Sequence, residues 1–452
     1  MRYFYTTILI IALTVQASAQ KNSYYKRVFV DAEYFLLYEE YKDALPLYQE
    51  LLKTEPDNAN INYRIGLCYL NILTQKTKAI PHLEKAITNI TKDYKEGYFT
   101  ENRAPLEAYL LYGKALRIKG DFDNAQKAFA TYKELIGNSP KELLIVNKEI
   151  EALAFAKTMM ANPLKITMTS IGRNVNTQIA EVNPVISKEK GILVYTSLQR
   201  FYNAILVSQF TDSVWSNPTN INTQTLADGP VKTVGLSGNG RVLVLARNDN
   251  DDYNLYYSQY DAIKKSWSSM VKFPKEINSK SWETSGSLSR SGDTLYFASK
   301  RPGGYGGLDI YMSIRIEEDT WSQPINLGKE INTPFDETAP IISSSGKSLY
   351  FASKGHETMG GYDIVKSERG NNSWTKPINL GYPLNTTDDE AFFFPLDDER
   401  SGYMSRILEE DQREEDIYFI EIDLSVQHTI TNTQTPPMVG TTTISQPQNT
   451  LE

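Results

Sequence analysis

The sequence predicts two repeat domains in one chain of 452 residues, an α-helical repeat domain followed by an all-β propeller with five blades. Two observations predict this architecture. In the N-terminal half, apolar residues recur with helical spacing. In the C-terminal half, tryptophans recur at intervals of 52, 54 and 53 residues, at Trp215, Trp267, Trp321 and Trp374. A fixed period of this length, with strand-like segments between turns, is typical of repeated sheet units.

The N-terminus predicts export. Arg2, an apolar run over residues 8–15 and the small residues 17–19 form the pattern of a signal peptide, which we place at residues 1–19. The apolar run is too short to span a bilayer, and no cysteine follows it to carry a lipid. We therefore expect a periplasmic protein that is associated with the outer membrane.

Composition narrows the possible functions. The net charge of −8 at pH 7 argues against a general attraction to nucleic acid. Cys68 is the only cysteine, so no intrachain disulfide can form. The apolar, helix-like neighbours of Cys68 predict a buried and unreactive thiol.

Residues 24–160 predict a stack of helical hairpins. Small and large residues alternate where paired helices must approach, at Ala32, Phe35, Ala44, Tyr48 and Leu51, then Gly66, Tyr69, Ala79, Leu83 and Ala86, then Gly113, Leu116, Ala125, Ala128 and Phe129. An insertion at residues 88–105 interrupts the array, and a helix at 141–160 is expected to cap it. The pattern resembles the tetratricopeptide repeat (TPR) family. A generic helical hairpin stack is the alternative, and either one implies a concave surface that binds a partner segment.

Residues 164–423 predict the propeller. Five copies of an Asn-Thr or Asn-Ser turn precede five strand pairs, at residues 176, 222, 278, 332 and 385. The fifth unit has no tryptophan strand after it, whereas a similar strand, residues 166–177, precedes the first. A first strand that completes the last sheet would close the ring and remove its open edge. Residues 424–452 are rich in Thr, Gln, Asn and Pro, which predicts a disordered tail.

The repeat S-x-S-G-D-T-L-Y-F-A-S-K-R-P-G-G-Y-G-G-L-D-I-Y resembles the WD40-like propeller repeat of TolB-type proteins, in a form typical of envelope proteins of the Bacteroidota. The resemblance covers residues 165–422. The order of signal peptide, TPR-like helices and propeller is similar to that of PorE-like periplasmic proteins, which implies a link to type IX secretion and gliding. Many such proteins continue into an OmpA-like domain, which this sequence lacks, so peptidoglycan anchoring is not expected.

Charged residues recur on one predicted face of the propeller. Acids stand where the first strand of a blade begins, at Glu181, Glu283, Glu337 and Asp389, with Asp228 displaced in the second copy. Bases follow the second strand, at Arg200, Arg247, Lys300, Arg301, Lys354 and Arg406. Opposite charges on one face most simply pair with each other as a structural network. A ring of unpaired bases would instead form a funnel that binds anions.

No catalytic, cofactor or metal site is expected. The glycine-rich segment 303–307 has no helix after it, so a hairpin loop is favoured over a phosphate site. The acidic segment 248–252 lacks the glycine and the final glutamate of a calcium loop. We therefore expect a non-enzymatic scaffold that binds envelope proteins through the helical groove and the propeller face. A glycan-binding module or hydrolase is the alternative, and a sensor of a small ligand is a third. An enzyme would need unpaired carboxylates converging on a central cavity.

Overall fold

The structure is a computed structural model that describes residues 22–187, 189, 191–317, 320–371, 373–407 and 414–423. The expected signal peptide, 1–19, and the expected tail, 424–452, lie outside the described residues. Within the described ranges, no helix combines the length and the apolar character that a membrane crossing requires.

The helical region predicted at the N-terminus is confirmed. Its helices are α1 (22–37), α2 (Tyr41–Thr54), α3 (Ala59–Leu70), α4 (Ala79–Ala86), α5 (Glu107–Lys119), α6 (Phe122–Ile136) and α7 (Pro140–Ala161), with a 3-10 turn at Leu73–Lys78. Consecutive helices pack against each other as hairpins. Residues 88–105 form an excursion with a short parallel strand pair, Ile90–Thr91 with Ala104–Pro105.

Small residues set how closely the helices approach. A Cβ atom on Gly66 would lie 2.5 Å from Cγ of Leu83, so only glycine allows α3 and α4 their present separation. Gly113 of α5 faces the ring of Phe129 on α6 in the same way. Cys68 is fully buried in this core, and burial raises the pKa of its thiol to about 12. The prediction of a buried thiol is confirmed, and a raised pKa disfavours the reactive thiolate.

The five-bladed propeller is also confirmed. The described strands form five antiparallel sheets, which we name blade 1 (Glu181–Ser187, Ile192–Leu198, Asn203–Thr211, Val214–Trp215, Thr219–Asn220), blade 2 (Val231–Leu236, Val242–Asn248, Tyr253–Asp261, Ser266–Trp267, Val271–Lys272), blade 3 (Glu283–Leu288, Thr294–Ser299, Asp309–Glu317, Thr320–Trp321, Ile325–Asn326), blade 4 (Glu337–Ile342, Ser348–Ser353, Asp363–Glu368, Ile378–Asn379) and blade 5 (Phe393–Pro395, Ser401–Arg406, Asp416–Ile422, Ile166–Ser170). A helical turn, Asn222–Thr225, precedes blade 2.

The first strand of each blade lies nearest the ring axis. These strands contact one another from blade 1 round to blade 5, and blade 5 contacts blade 1 again. The outer strand of blade 5 comes from the opposite end of the domain, because Ile166–Ser170 pairs with Asp416–Ile422. Val185, Ile341 and Phe392 are buried in an apolar cluster between the blades, and burial of such surface stabilises the ring at about 25 cal/mol per Å².

Candidate functional site

The loop face of the propeller is built on the repeated Asn-Thr or Asn-Ser turn. In blade 4, Nδ2 of Asn332 donates to the carbonyl of Ile310 at 3.0 Å, and its Oδ1 accepts from the amide of Ile310 at 2.7 Å. The asparagine side chain thus makes the two hydrogen bonds that the backbone of a residue in a neighbouring strand would make. Equivalent pairs join Asn176 to Ile417, Asn278 to Leu255 and Asn385 to Ile364.

A glutamate five residues after each of these four asparagines holds the same turn, whereas Ala227 stands at that position after Asn222. Glu337 accepts from the amide of Thr333 at 2.8 Å, from its hydroxyl at 2.7 Å and from the hydroxyl of Ser353 at 2.8 Å. Glu181 and Glu283 bind the preceding Thr177 and Ser279 in the same way. These carboxylates are buried and bonded within the blades.

The acid assigned to blade 5 from the sequence requires a correction. Glu390 accepts from the amide and the hydroxyl of Thr386, both at 2.7 Å, so Glu390 is the equivalent of Glu337. Asp389 is the equivalent of Asp336, because each accepts from a backbone amide at the end of the adjacent loop. The spacing of five residues from asparagine to glutamate at Glu181, Glu283 and Glu337 is the sequence signal that identifies Glu390.

The predicted acids and bases form separate pairs rather than one ring. Arg301 lies 3.4 Å from Glu283, and Arg406 lies 3.3 Å from Glu390. Arg247 binds Asp228 at 3.3 Å and Asp249 at 2.5 Å, while Lys354 lies 3.7 Å from Asp336. Among the described residues, no ion pair joins a base to Glu181 or Glu337. The remaining bases lie over aromatic rings, Lys300 over Trp282 at 4.7 Å and Arg200 over Phe201 at 5.2 Å.

Two of the buried glutamates titrate near neutral pH. Burial raises the pKa of Glu337 to about 7, although the hydrogen bonds from Thr333 and Ser353 lower it. Burial also raises the pKa of Glu390 to about 7, against the opposing effect of Arg406. The cause in both cases is desolvation in a packed turn, and structural turns account for it without a catalytic role.

The helices contact the loop face of blades 4 and 5. Arg117 of α5, which is 3% exposed, donates to the carbonyl of Met359 at 3.3 Å and to that of Thr387. Its guanidinium also lies 3.4 Å from Glu149 of α7. The planar donor fork of arginine suits this combination of acceptors. A buried cation of this kind fixes the propeller against the helical region.

Two lysines complete the contact. Lys148 of α7 donates to the carbonyl of Gly355 at 2.8 Å and to that of His356. Lys76, which precedes α4, lies 2.5 Å from Asp388 and 3.5 Å from Asp389. Residues 355–361, the blade 4 loop, thereby cover the groove formed by α3, α5 and α7, and a cavity of about 350 Å³ remains between the loop and these helices.

Glycines allow the blade 4 loop to enter this groove. Gly360 has a φ of 135°, and a Cβ atom there would collide with the guanidinium of Arg117. Gly361 has a φ of 74°, and a Cβ atom there would lie 2.5 Å from Oδ1 of Asp389. A side chain at either position is incompatible with the docked arrangement.

On the loop face, the depression at the ring axis carries few groups that could take part in a reaction. Its volume is 420 Å³, and all five blades line it. Lys232 is the one charged residue among its described lining residues, which otherwise carry hydroxyl, amide and apolar groups such as Thr284, Asn183 and Phe392. No carboxylate in the described part of this lining could serve as a general acid or nucleophile.

The two loop segments considered from the sequence have structural partners. Asp249 is bound by Arg247, by Lys272 at 3.3 Å and by the hydroxyl of Tyr256 at 2.6 Å. Within the described ranges, no group of three or more His, Cys, Asp or Glu residues is arranged to hold a metal ion. Residues 303–307 lie in a loop of blade 3, between the strands Thr294–Ser299 and Asp309–Glu317.

Several residues of this face were not identified from the sequence. They are the cations of the helical region, Arg117, Lys148 and Lys76, and the loop residues that they contact. Arg117 and Met359 are 242 positions apart. Each repeat has sequence features that specify its own fold, but these features do not indicate which surface of the helical region contacts the propeller. The adjacent glycines of the blade 4 loop are the one local hint of a close approach.

The comparisons with known proteins assign no family to this chain. No family model matches this sequence, and no curated protein matches it. Among solved structures, TolB from Acinetobacter baumannii is similar over 62% of this chain and 70% of that protein, with a TM-score of 0.36 and 9% identity. An α-L-arabinofuranosidase from Podospora anserina is similar over 58% and 98%, with a TM-score of 0.39 and 14% identity. An α-L-arabinofuranosidase from Lactobacillus brevis is similar over 56% and 92%, with a TM-score of 0.36 and 13% identity. These low scores decide neither family nor activity, and the strand pairing itself establishes the propeller.

Proposed function

We propose that this protein is an exported, non-enzymatic scaffold of a cell-envelope complex. In this proposal, the signal peptide 1–19 directs it to the periplasm, residues 24–160 form a TPR-like array, and residues 164–423 form the propeller. The strand Ile166–Ser170 acts as the closing strand of the ring. The complex is associated with the outer membrane, and the sequence resemblance to PorE-like proteins favours the type IX secretion or gliding machinery.

One observation carries this proposal, namely the aromatic side chains exposed on the loops of blades 1 to 3. Their exposed fractions are 85% for Phe201, 45% for Tyr202, 40% for Trp282 and 52% for Tyr305. Exposed aromatic residues are enriched where proteins bind one another. The described hydrogen bonds and ion pairs from the helices to the propeller loops reach blades 4 and 5. The aromatic loops are thus available to a partner.

The contact between the domains changes where that partner is expected. The chain's own blade 4 loop covers the groove of α3, α5 and α7 and accepts a hydrogen bond from Arg117, so a partner segment would compete with this loop there. We therefore place the partner on the propeller face, and we assign to the helices the role of a rigid support for it.

The hydrolase alternative has less support. A glycosidase uses two carboxyl groups about 5–10 Å apart that flank the bond to be cleaved. The loop-face carboxylates Glu181, Glu283, Glu337 and Glu390 are each bonded to the turn that precedes them, inside separate blades. The axial depression on the loop face presents Lys232 as its charged residue instead. At the other end of the axis, Glu189 is bound to Arg290, and Asp397 is the second carboxylate of the described lining.

Affinity capture from cross-linked envelopes, with the intact chain as bait, tests the scaffold role. We expect envelope proteins to be recovered, and we expect Phe201→Ala to reduce their recovery roughly tenfold, because an exposed interface aromatic contributes about 1–2 kcal/mol. Ile263→Ala is the matched control, since Ile263 is 95% exposed on a hairpin outside the loop face. Equal recovery with both variants, or recovery of no envelope protein, would contradict the proposal.

A further inference from the structure

Blades 3 and 4 carry the same loop, in two different environments. Residues 301–307, the blade 3 loop, correspond to the blade 4 loop, and both contain an adjacent glycine pair before the third strand. In blade 3, Asp309 accepts from the amides of Tyr305 at 2.7 Å and Gly306 at 3.0 Å. In blade 4, Asp363 accepts from the amide of Met359 at 2.8 Å. Tyr305 therefore stands where blade 4 has Met359.

The aspartate beside each loop is equivalent as well. Asp336 accepts from the amide of Leu308 at 2.9 Å, and Asp389 accepts from the amide of Tyr362 at the same distance. Each loop thus presents backbone carbonyl groups with a carboxylate next to them. In blade 4, the cations of the helical groove bind this combination, with Arg117 and Lys148 on the carbonyl groups and Lys76 3.5 Å from Asp389. Lys76 lies closer to Asp388, whose place in blade 3 is taken by Phe335.

The environments differ in their exposure to solvent. Residues 358–360 of the blade 4 loop are buried beneath the helices, whereas residues 302–306 of the blade 3 loop are exposed. In the part of the chain that the structure describes, the carbonyl oxygens of Pro302 and Tyr305 accept no hydrogen bond. Tyr305, 52% exposed, takes the place of the fully buried Met359. The blade 3 loop thus resembles the bound blade 4 loop in sequence and hydrogen bonding, but it is exposed to solvent.

We propose that the blade 3 loop binds a groove between helices of another protein, in the way that the blade 4 loop binds the groove of this chain. This inference rests on the proposed scaffold role and specifies the partner for it. The partner surface carries arginine or lysine side chains that reach the loop carbonyl groups and Asp336. An apolar pocket between its helices receives the ring of Tyr305, because tyrosine joins a large apolar area to a polar hydroxyl.

A site-specific cross-link tests this inference. In the native cells, the full chain carries Tyr305→benzoylphenylalanine, and a second strain carries Ile263→benzoylphenylalanine as the control for non-specific contact. After irradiation, the cross-linked peptides are identified by mass spectrometry. We expect a peptide from a helix of one partner protein at position 305 and not at position 263. Replacing the arginine or lysine of that helix by alanine should reduce the cross-link about tenfold, as loss of a charged interface contact does.

Other results would overturn the inference. They are the absence of a cross-link at position 305, a cross-link to a strand or an extended peptide, a cross-link to lipid or glycan, and a cross-link to a second copy of this chain, whose groove is covered by its own blade 4 loop. With Lys354→Met as the control for the ion pair that Asp336 makes with Lys354 at 3.7 Å, Asp336→Asn gives a second arm, since it keeps the bond to the amide of Leu308 and removes the charge. It should weaken the same cross-link. The two proposals can fail separately. If Phe201→Ala reduces the capture of envelope proteins but position 305 gives no cross-link, this inference is overturned and the scaffold role stands.

Discussion

At the residue scale, the loop face is held by asparagine and glutamate side chains that act as extra backbone groups. Asn332 pairs with both the amide and the carbonyl of Ile310, and Glu337 accepts three hydrogen bonds in a fully buried position. Buried polar groups of this kind are costly unless all their bonds are made. Their recurrence in successive blades accounts for the repeated sequence better than a shared chemical activity does.

The burial of Glu337 predicts a pH dependence of stability. The folded protein retains the Glu337 proton up to a pKa of about 7, whereas the unfolded chain releases it near 4.5. The unfolding free energy therefore falls as the pH rises from 4.5 to 7, by up to about 3 kcal/mol from this group. We expect Glu337→Gln to flatten this dependence in urea unfolding at several pH values. Glu330→Gln, at an exposed position of the same loop, is the control. An unchanged slope in Glu337→Gln would show that the carboxylate is ionised when folded.

At the element scale, blade 5 combines strands from the two ends of the propeller domain. Met168 stands opposite Ile420 and packs against the core of this blade, whereas Thr167 on the other side of the strand is exposed.

We expect Met168→Asp to destabilise the protein by roughly 2–3 kcal/mol, because it places a charge against an apolar cluster. Hydrogen exchange should then become faster in Asp416–Ile422 before it changes in the other blades. Thr167→Asp has the same charge and strand propensity and should have little effect; equally fast exchange in both variants would contradict the assigned register.

The elements were largely predictable from the sequence, because each repeat contains the signals for its own fold. Trp321, with the turn and strands that follow it, predicts one blade with no information from the rest of the chain. The assignment of Asp389 instead of Glu390 shows where such reasoning is weak, since two adjacent acids both fit a loose alignment. The pairing of acids with bases was predictable only in part, because geometry selects Asp336 rather than Glu337 for Lys354.

At the scale of the whole molecule, the helices and the propeller are joined by buried polar contacts that no repeat pattern encodes. Arg117 reaches Met359, Thr387 and Glu149 from one position on α5. Lys148 and Lys76 make further contacts on either side of it. A scaffold requires a fixed relation between its parts, and these contacts supply one. Binding at the loops of blades 1 to 3 would then leave the orientation of the helical region unchanged.

Arg117 is the residue on which this arrangement depends most. Arg117→Met keeps much of the side-chain volume but removes the donor to the carbonyl groups of Met359 and Thr387, which costs about 1–3 kcal/mol for buried acceptors left unpaired. Glu149 loses one of two cations and keeps Lys114 at 3.2 Å. We expect the helical region to separate from the propeller, with a larger radius of gyration in small-angle scattering and two thermal transitions in place of one. Lys119→Met, at an exposed position on the same helix, should change neither measurement.

Because the blade 4 loop would leave its groove, Gly360→Val should produce the same separation without altering any charge. A single transition and an unchanged radius in both Arg117→Met and Gly360→Val would mean that the remaining lysine contacts and the short link before Ile166 suffice to hold the two domains together.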